Sequence, residues 1–126
     1  AHIARAALEG ICYQVYDVLQ AMENDRHARP REIRVDGGAI ANNFLMQFQA
    51  DICRCPVVRP RILETTALGA AYLAGLAVGY WKDVEDLKEQ WNQEKTFRPQ
   101  MEESLSQQLL HDWHRAVGRA SAWEES

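Results

Sequence analysis

The chain has 126 residues, 47% of them hydrophobic and 25% charged, which suits one soluble globular domain with a modest core. A formal net charge of −4, with no basic cluster and no interleaving of aromatic and basic residues, excludes the usual nucleic-acid and anionic-membrane partners. Three cysteines, an odd number, fit a reducing cytoplasm better than a disulfide framework, and the longest apolar run, 67–81, falls short of the roughly 18 residues a spanning helix needs.

The first predicted element is a helix over 2–22, whose polar–apolar weave begins at His2 and is not that of a signal peptide. Ile3, Ala7, Ile11, Val15, Val18 and Met22 recur at steps of three and four, and Leu8, Cys12, Tyr16 and Leu19 form a second apolar line. A stripe this wide predicts burial against more than one neighbour. Glu23-Asn24-Asp25 ends the helix, 24–30 reads as an exposed connection closed by Pro30, and 31–36 as a short strand. The strand runs into Asp36-Gly37-Gly38, and a helix over 42–52 follows, with Phe44, Leu45, Phe48 and Ile52 inward and Asn43, Gln47 and Asp51 outward. Pro56 stops that pattern, and Val57-Val58-Arg59 is a second strand before Pro60. Strand, helix and strand within about 25 residues make a βαβ unit, whose strands pair in parallel through a right-handed crossover.

Glu64 precedes Thr65 and Thr66, either of which can cap a helix over 67–79. Gly69, Ala70, Ala71, Ala74, Gly75 and Ala77 crowd that helix with small residues, which predicts the close approach of another backbone. Asp83 opens a short helix over 83–91 with Val84, Leu87 and Trp91 in register, and 92–100 reads as irregular. A last helix over 102–123 carries Leu105, Leu109, Trp113, Val117 and Ala120 on one side. No repeat, low-complexity tract or linker divides the chain. The order α-β-α-β-α-α-α places it in the α/β class, with a short parallel β-α-β core and flanking helices. Two strands alone leave both edges unpaired. The sheet is therefore expected to be completed by further sequence or by a partner, and pairing of copies through those edges is a route to a homo-oligomer.

The corner at Gly37-Gly38 is the candidate site. A strand, two glycines and a helix present backbone N–H groups at the carboxyl edge of a parallel sheet, where such sheets bind ligands. Glycine lets the chain take positive φ and lets a flat or anionic group approach the main chain without meeting a Cβ. On the residues alone, Gly37-Gly38 is either such a corner or a plain tight turn. Asn42 is a helix N-cap, a ligand contact, or both. Glu64-Thr65-Thr66 reads as a helix cap sooner than as an active site. Cys53 and Cys55 lack the further ligands a zinc site requires, and His111 and His114 read as solvent-exposed beside Trp113.

Val-Asp-Gly-Gly-Ala at 35–39, Asn42-Asn43-Phe44-Leu45-Met46-Gln47, Ala50-Asp51 and Glu64-Thr65-Thr66-Ala67-Leu68-Gly69-Ala70-Ala71 resemble the C-terminal domain of the glycerol kinases. These are FGGY-type carbohydrate kinases of the actin/hexokinase superfamily. His2-Ile3-Ala4-Arg5-Ala6-Ala7-Leu8-Glu9 is similar to the tail of the second FGGY signature, and Trp123-Glu124-Glu125 to the family's C-terminal end. The resemblance covers essentially the whole chain, 1–126, as the C-terminal part of an FGGY-type kinase domain. Kinases for pentoses or gluconate usually carry a basic residue and serine where this chain has Ile40-Ala41-Asn42.

The resemblance implies an incomplete actin/RNase H-like ATPase domain and ATP-dependent phosphorylation of glycerol to glycerol 3-phosphate, with Mg²⁺. The nucleotide, ATP or ADP, would lie between two domains with its adenosine end against this one. Gly38 matches the family position whose backbone touches the nucleotide, and Asn42 the one that contacts adenine. A Cβ at 38 would fill the space of a base or ribose, and an amide offers donor and acceptor to a heterocycle edge. Gly37 supplies the turn, and Asp36 holds the loop through backbone N–H groups or a coordinated water. No catalytic or metal-binding residue is carried onto this chain, because the family's catalytic aspartate, glycerol site and most phosphate loops precede it. The expectation is a nucleotide-binding portion, inactive alone, in a cytoplasmic kinase. The alternatives are a non-catalytic interaction module of the same fold and a kinase for another polyol or sugar.

Overall fold

The periodic N-terminal stretch forms one helix, α1 (His2–Arg26), closed by His27 in the left-handed region at φ 52°, its N–H donating to Glu23 O at 2.7 Å. The computed structural model describes residues 1–61, 65–90 and 93–121, with the backbone alone at 65, 66, 88–90, 93 and 94. The cap assigned to Glu64-Thr65-Thr66, the register of Trp91 and the C-terminal Trp123-Glu124-Glu125 lie outside the described residues.

Of the two apolar lines on α1, the second faces the core. Cys12 and Tyr13 are buried with Leu8 and Tyr16 packed beside them, whereas Ile3 is 88% exposed and Ile11, Val18 and Met22 are exposed too. Periodicity cannot rank two apolar lines on one helix; the neighbouring helix does. Gln49 Nε2 from that helix donates to Cys12 O at 3.3 Å, and the Cys12 thiol meets Leu45 O at 3.6 Å.

The predicted βαβ unit forms. Strand β1 (Ile33–Arg34) leads through a 3-10 turn (Gly38–Ala41) and α2 (Asn43–Cys53) to β2 (Val57–Pro60). The strands pair in parallel, Ile33 against Val57 and Arg34 against Val58. The sheet nevertheless has three strands, because the stretch expected to be irregular forms β3 (Gln93–Phe97), antiparallel to β2. Nothing in Gln-Glu-Lys favours a strand, and only Thr96 and Phe97 have β propensity. The open ladder of β2 imposes the conformation. Val57, Val58 and Arg59 face Phe97, Thr96 and Lys95, and the register shifts between Arg59 and Pro60, where proline has no N–H to give. β2 is therefore central and wholly buried, and among the described residues β1 and β3 each keep one unpaired edge. The expectation of a bare two-stranded sheet is corrected accordingly.

The core lies where α2 meets α1, the sheet and α5 (Glu103–Ala120), around Leu45, Phe48, Ile52, Val57 and Phe97. Tyr13 stacks on Trp113 at 5.3 Å and meets the edge of Phe48 at 5.6 Å. On α5 the buried face is Ser106 and Leu110, with Leu109 and Trp113 partly covered, while Leu105 and Val117 stay exposed; the predicted face is rotated. Asp17 on α1 holds α5 through Trp113 Nε1 and His114 Nε2, both at 2.8 Å, so His114, though exposed, is bonded.

Asp51 also departs from the expected outward place: it is 7% exposed. Its Oδ1 accepts from the backbone N–H of Gln100 at 2.6 Å and of Met101 at 3.2 Å, and from Gln47 Nε2 at 3.0 Å. Arg54 Nη1 donates to Met101 O at 2.6 Å, and Gln47 Nε2 to Arg98 O at 2.8 Å. The outer face of α2 thus straps down the segment between β3 and α5. Phe44, expected inward, is exposed.

α3 (Thr65–Ala77) ends at Gly79, φ 74°, with Tyr80 N–H donating to Gly75 O at 2.8 Å and Gly79 N–H to Leu76 O at 3.2 Å. Among the described residues no other backbone lies within 4 Å of a Cβ built at Gly69, and at Gly75 the neighbour is a side chain. At Gly75 the ring of Trp81 folds back against the helix, edge-on to Tyr72 at 5.2 Å, while Leu73 is 71% exposed. α4 (Val84–Gln90) is capped by Asp83 Oδ1, which accepts from Glu85 N–H at 2.9 Å and Asp86 N–H at 3.1 Å.

Candidate functional site

The site is assembled at the carboxyl end of β1. Val35 N–H still donates to Val58 O at 3.3 Å, which carries the parallel ladder one residue past the strand proper. Asp36 then turns outward to an exposed position, and Gly37 takes φ 86° and ψ 166°, a region open essentially to glycine alone. The chain tightens at once into the 3-10 turn, with Ile40 N–H donating to Gly37 O at 3.2 Å and Asn42 N–H to Ala39 O at 3.1 Å. Ile40 is buried and anchors the turn to the core. Gly37 is therefore the residue that makes the bend, as expected of it.

Gly38 differs from its neighbour. Its φ lies outside the left-handed range, and a Cβ built on it meets no heavy atom within 4 Å. The chain's own fold does not require glycine at 38. Its bare main chain faces open space at the first residue of a helical turn, where N–H groups lack intrahelical acceptors.

Asn42 is the N-cap of α2. Its Oδ1 accepts from Phe44 N–H at 3.0 Å and Leu45 N–H at 3.2 Å, which fills the two acceptor directions of the amide oxygen. The residue is exposed, and the carboxamide NH₂ is the part of it able to serve a ligand. Sequence reasoning left cap and contact open together; the geometry divides them between the two ends of one amide.

Two residues of this corner escaped the sequence reading. Arg59, taken as a strand residue, reaches from β2 beneath the turn, and Asn43, taken as outward, accepts from it. The signal was Val57-Val58-Arg59-Pro60 itself. A charged residue inside a run read as a buried parallel strand must find acceptors indoors.

A cavity of about 260 Å³ lies between α1, the end of α2 and α5, lined by Glu23, Arg29, Cys53 and Cys55 among others, and no residue of 36–43 touches it. Burial pushes the Cys12 thiol up to about 12 and the Cys53 thiol up to about 11, so neither is a nucleophile near neutral pH. Among the described residues no three His, Cys, Asp or Glu converge to hold a metal ion, and no helix is long and apolar enough to cross a membrane.

Comparison with known proteins gives these residues a setting. Residues 1–78 match the FGGY family of carbohydrate kinases, C-terminal domain. The chain is 75% identical over 125 residues to the glycerol kinase of Parabacteroides distasonis, an alignment covering 99% of this chain and 25% of the relative. The crystal structure of Plasmodium falciparum glycerol kinase with ADP superposes with a TM-score of 0.84 at 31% identity, over 98% of this chain and 25% of that one. The ligand-bound xylulose kinase from Lactobacillus acidophilus superposes with a TM-score of 0.76 at 27% identity, over 97% of this chain and 25% of that one. The chain thus spans 25% of the length of the curated relatives it matches.

Proposed function

We infer that this chain, which belongs to the FGGY family of carbohydrate kinases, is the adenosine-side part of a glycerol kinase. Its fold is that of the family's actin/hexokinase-like C-terminal region. The intact protein would transfer the γ-phosphate of ATP to glycerol, giving glycerol 3-phosphate, in the cytoplasm. Identity of 75% to a glycerol kinase across 99% of the chain supports the choice of glycerol over another polyol.

The observation that carries the reading is Gly38, a glycine the fold does not need, facing open space at the carboxyl end of a parallel strand. There a base or ribose can lie against the main chain, with the Asn42 NH₂ donating to a ring nitrogen or a carbonyl-like acceptor. Gly37 shapes the bend, and Asp36 sits beside it at the rim. Phosphoryl transfer depends on positioning and on neutralising charge at the phosphates. This corner supplies positioning alone. Mg²⁺ would neutralise charge on the phosphates; among the described residues no three His, Cys, Asp or Glu converge to hold a metal ion, and the metal ligands, the proton acceptor and the glycerol site are read as belonging to the remainder of the protein. Exposed Ile3, Leu73, Val78 and Tyr80 fit a region that packs against more of the same protein.

Calorimetric titration of the chain with ADP tests the reading. Weak, saturable binding is expected, since one wall of a two-sided pocket gives little affinity, and Gly38→Val should remove it. No binding at millimolar ADP would favour the non-catalytic interaction module. A coupled assay of the chain alone should give no turnover of glycerol, and clear turnover would overturn the assignment of the catalytic groups to the rest of the protein.

A further inference from the structure

We propose that Arg59 is the positioning residue of the nucleotide corner, fixing from below the turn that carries Gly38 and Asn42; this rests on the function just inferred for those two residues. Arg59 lies near the carboxyl end of the central strand and is 6% exposed. A guanidinium this deep must be matched by acceptors. Nη1 donates to Ile40 O at 3.0 Å and to Asn43 Oδ1 at 3.0 Å, with Ala41 O at the longer distance of 3.5 Å. The group also lies over the Phe97 ring at 5.3 Å from its centroid, so the third strand holds it from the other side.

The acceptors belong to the end of the 3-10 turn and the first residue of α2, the two pieces between which Asn42 sits. Carbonyls at the end of a helical turn lack intrahelical donors, and a cation there satisfies them while favouring their dipoles. Arg59 ties the turn to β2, and β2 in turn to β1, from which the turn departs. Gly38 and Asn42 are thereby held at a fixed distance across a four-residue turn that makes few bonds of its own. These bonds all run from Nη1, and the planar guanidinium at the same time lies over the Phe97 ring, a combination that the point charge of a lysine reproduces only in part.

Two measurements on Arg59→Met and Arg59→Lys decide the matter. Hydrogen exchange on this chain, without nucleotide, reads the turn directly. Loss of a buried charged donor should speed exchange over 37–43 by about tenfold or more in Arg59→Met and by less in Arg59→Lys, with α5 unchanged. Unchanged exchange over 37–43, or equal acceleration everywhere, overturns the proposal. In the intact kinase, Arg59→Met should raise KM for ATP by about tenfold with KM for glycerol unmoved, and Arg59→Lys should recover part of it. A fall in kcat with both KM values unchanged would mark a residue that merely holds the fold, and would overturn it. Should Arg59→Met fail to fold, Asn43→Ala removes one exposed acceptor and must give the same local pattern, more weakly; a uniform change or none overturns the proposal. If wild-type chain and Gly38→Val respond alike to ADP, the nucleotide reading fails while the exchange result still stands or falls alone.

Discussion

At adjacent positions two glycines answer to different demands. Gly37 sits at φ 86° and ψ 166°, so Gly37→Ala should destabilise the chain by about 1–3 kcal/mol in urea unfolding, the cost of forcing an L-residue into that region. Gly38→Ala meets no atom within 4 Å, and its stability should stay within about 0.5 kcal/mol of the parent while ADP affinity drops. Equal stability losses at both positions would refute this division of labour. Asn42 can be dissected the same way. Asn42→Ala removes the acceptor for Phe44 and Leu45 and should cost about 1 kcal/mol. Asn42→Asp keeps a capping oxygen but loses the NH₂, so stability should hold and nucleotide binding should fall. Retained ADP affinity in Asn42→Asp would reduce the residue to a cap.

Among the elements, the β-α-β unit was legible because its punctuation is local: Pro30, the glycine pair, Pro56 and Pro60 bound two short β-branched runs and one amphipathic helix. What escaped was set by neighbours distant in sequence. β3 owes its conformation to the edge of β2, not to Gln-Glu-Lys, and Asp51 looked outward because the segment 98–101 that covers it is about 50 residues away. The corner was legible as strand, glycines and helix, yet Arg59 was not, since a strand pattern says nothing of what a long side chain reaches. Two tests belong at this scale. Asp51→Ala leaves the Gln100 and Met101 N–H groups without their acceptor and should cost about 2–3 kcal/mol, with faster hydrogen exchange from 98 to 105. Gly75→Ala drives a methyl into the Trp81 ring and should cost about 1–3 kcal/mol, with changed tryptophan fluorescence; no change in either would mean that Trp81 does not lie on α3 in solution.

Across the whole molecule, the buried thiols set an alkaline limit. Cys12 and Cys53 ionise near their ordinary value of 9.0 when unfolded but at about 12 and about 11 when folded, chiefly because burial disfavours the thiolate. Burial likewise pushes Tyr13 and Tyr16 up. The folded state therefore holds protons that the unfolded state gives up, and stability present below pH 9 should be lost as pH climbs from there toward 12. Urea midpoints measured across that range should fall, and fall less in Cys12→Ala/Cys53→Ala; a flat profile would contradict the burial of these groups. The function inferred for this chain turns on whether the corner at the end of β1 grips a nucleotide. The most direct measurement is an ADP titration followed by amide ¹H–¹⁵N shifts of this chain. Saturable shifts concentrated at 36–43, absent in Gly38→Val, are predicted; shifts elsewhere with that segment unmoved, or none at millimolar ADP, would contradict it.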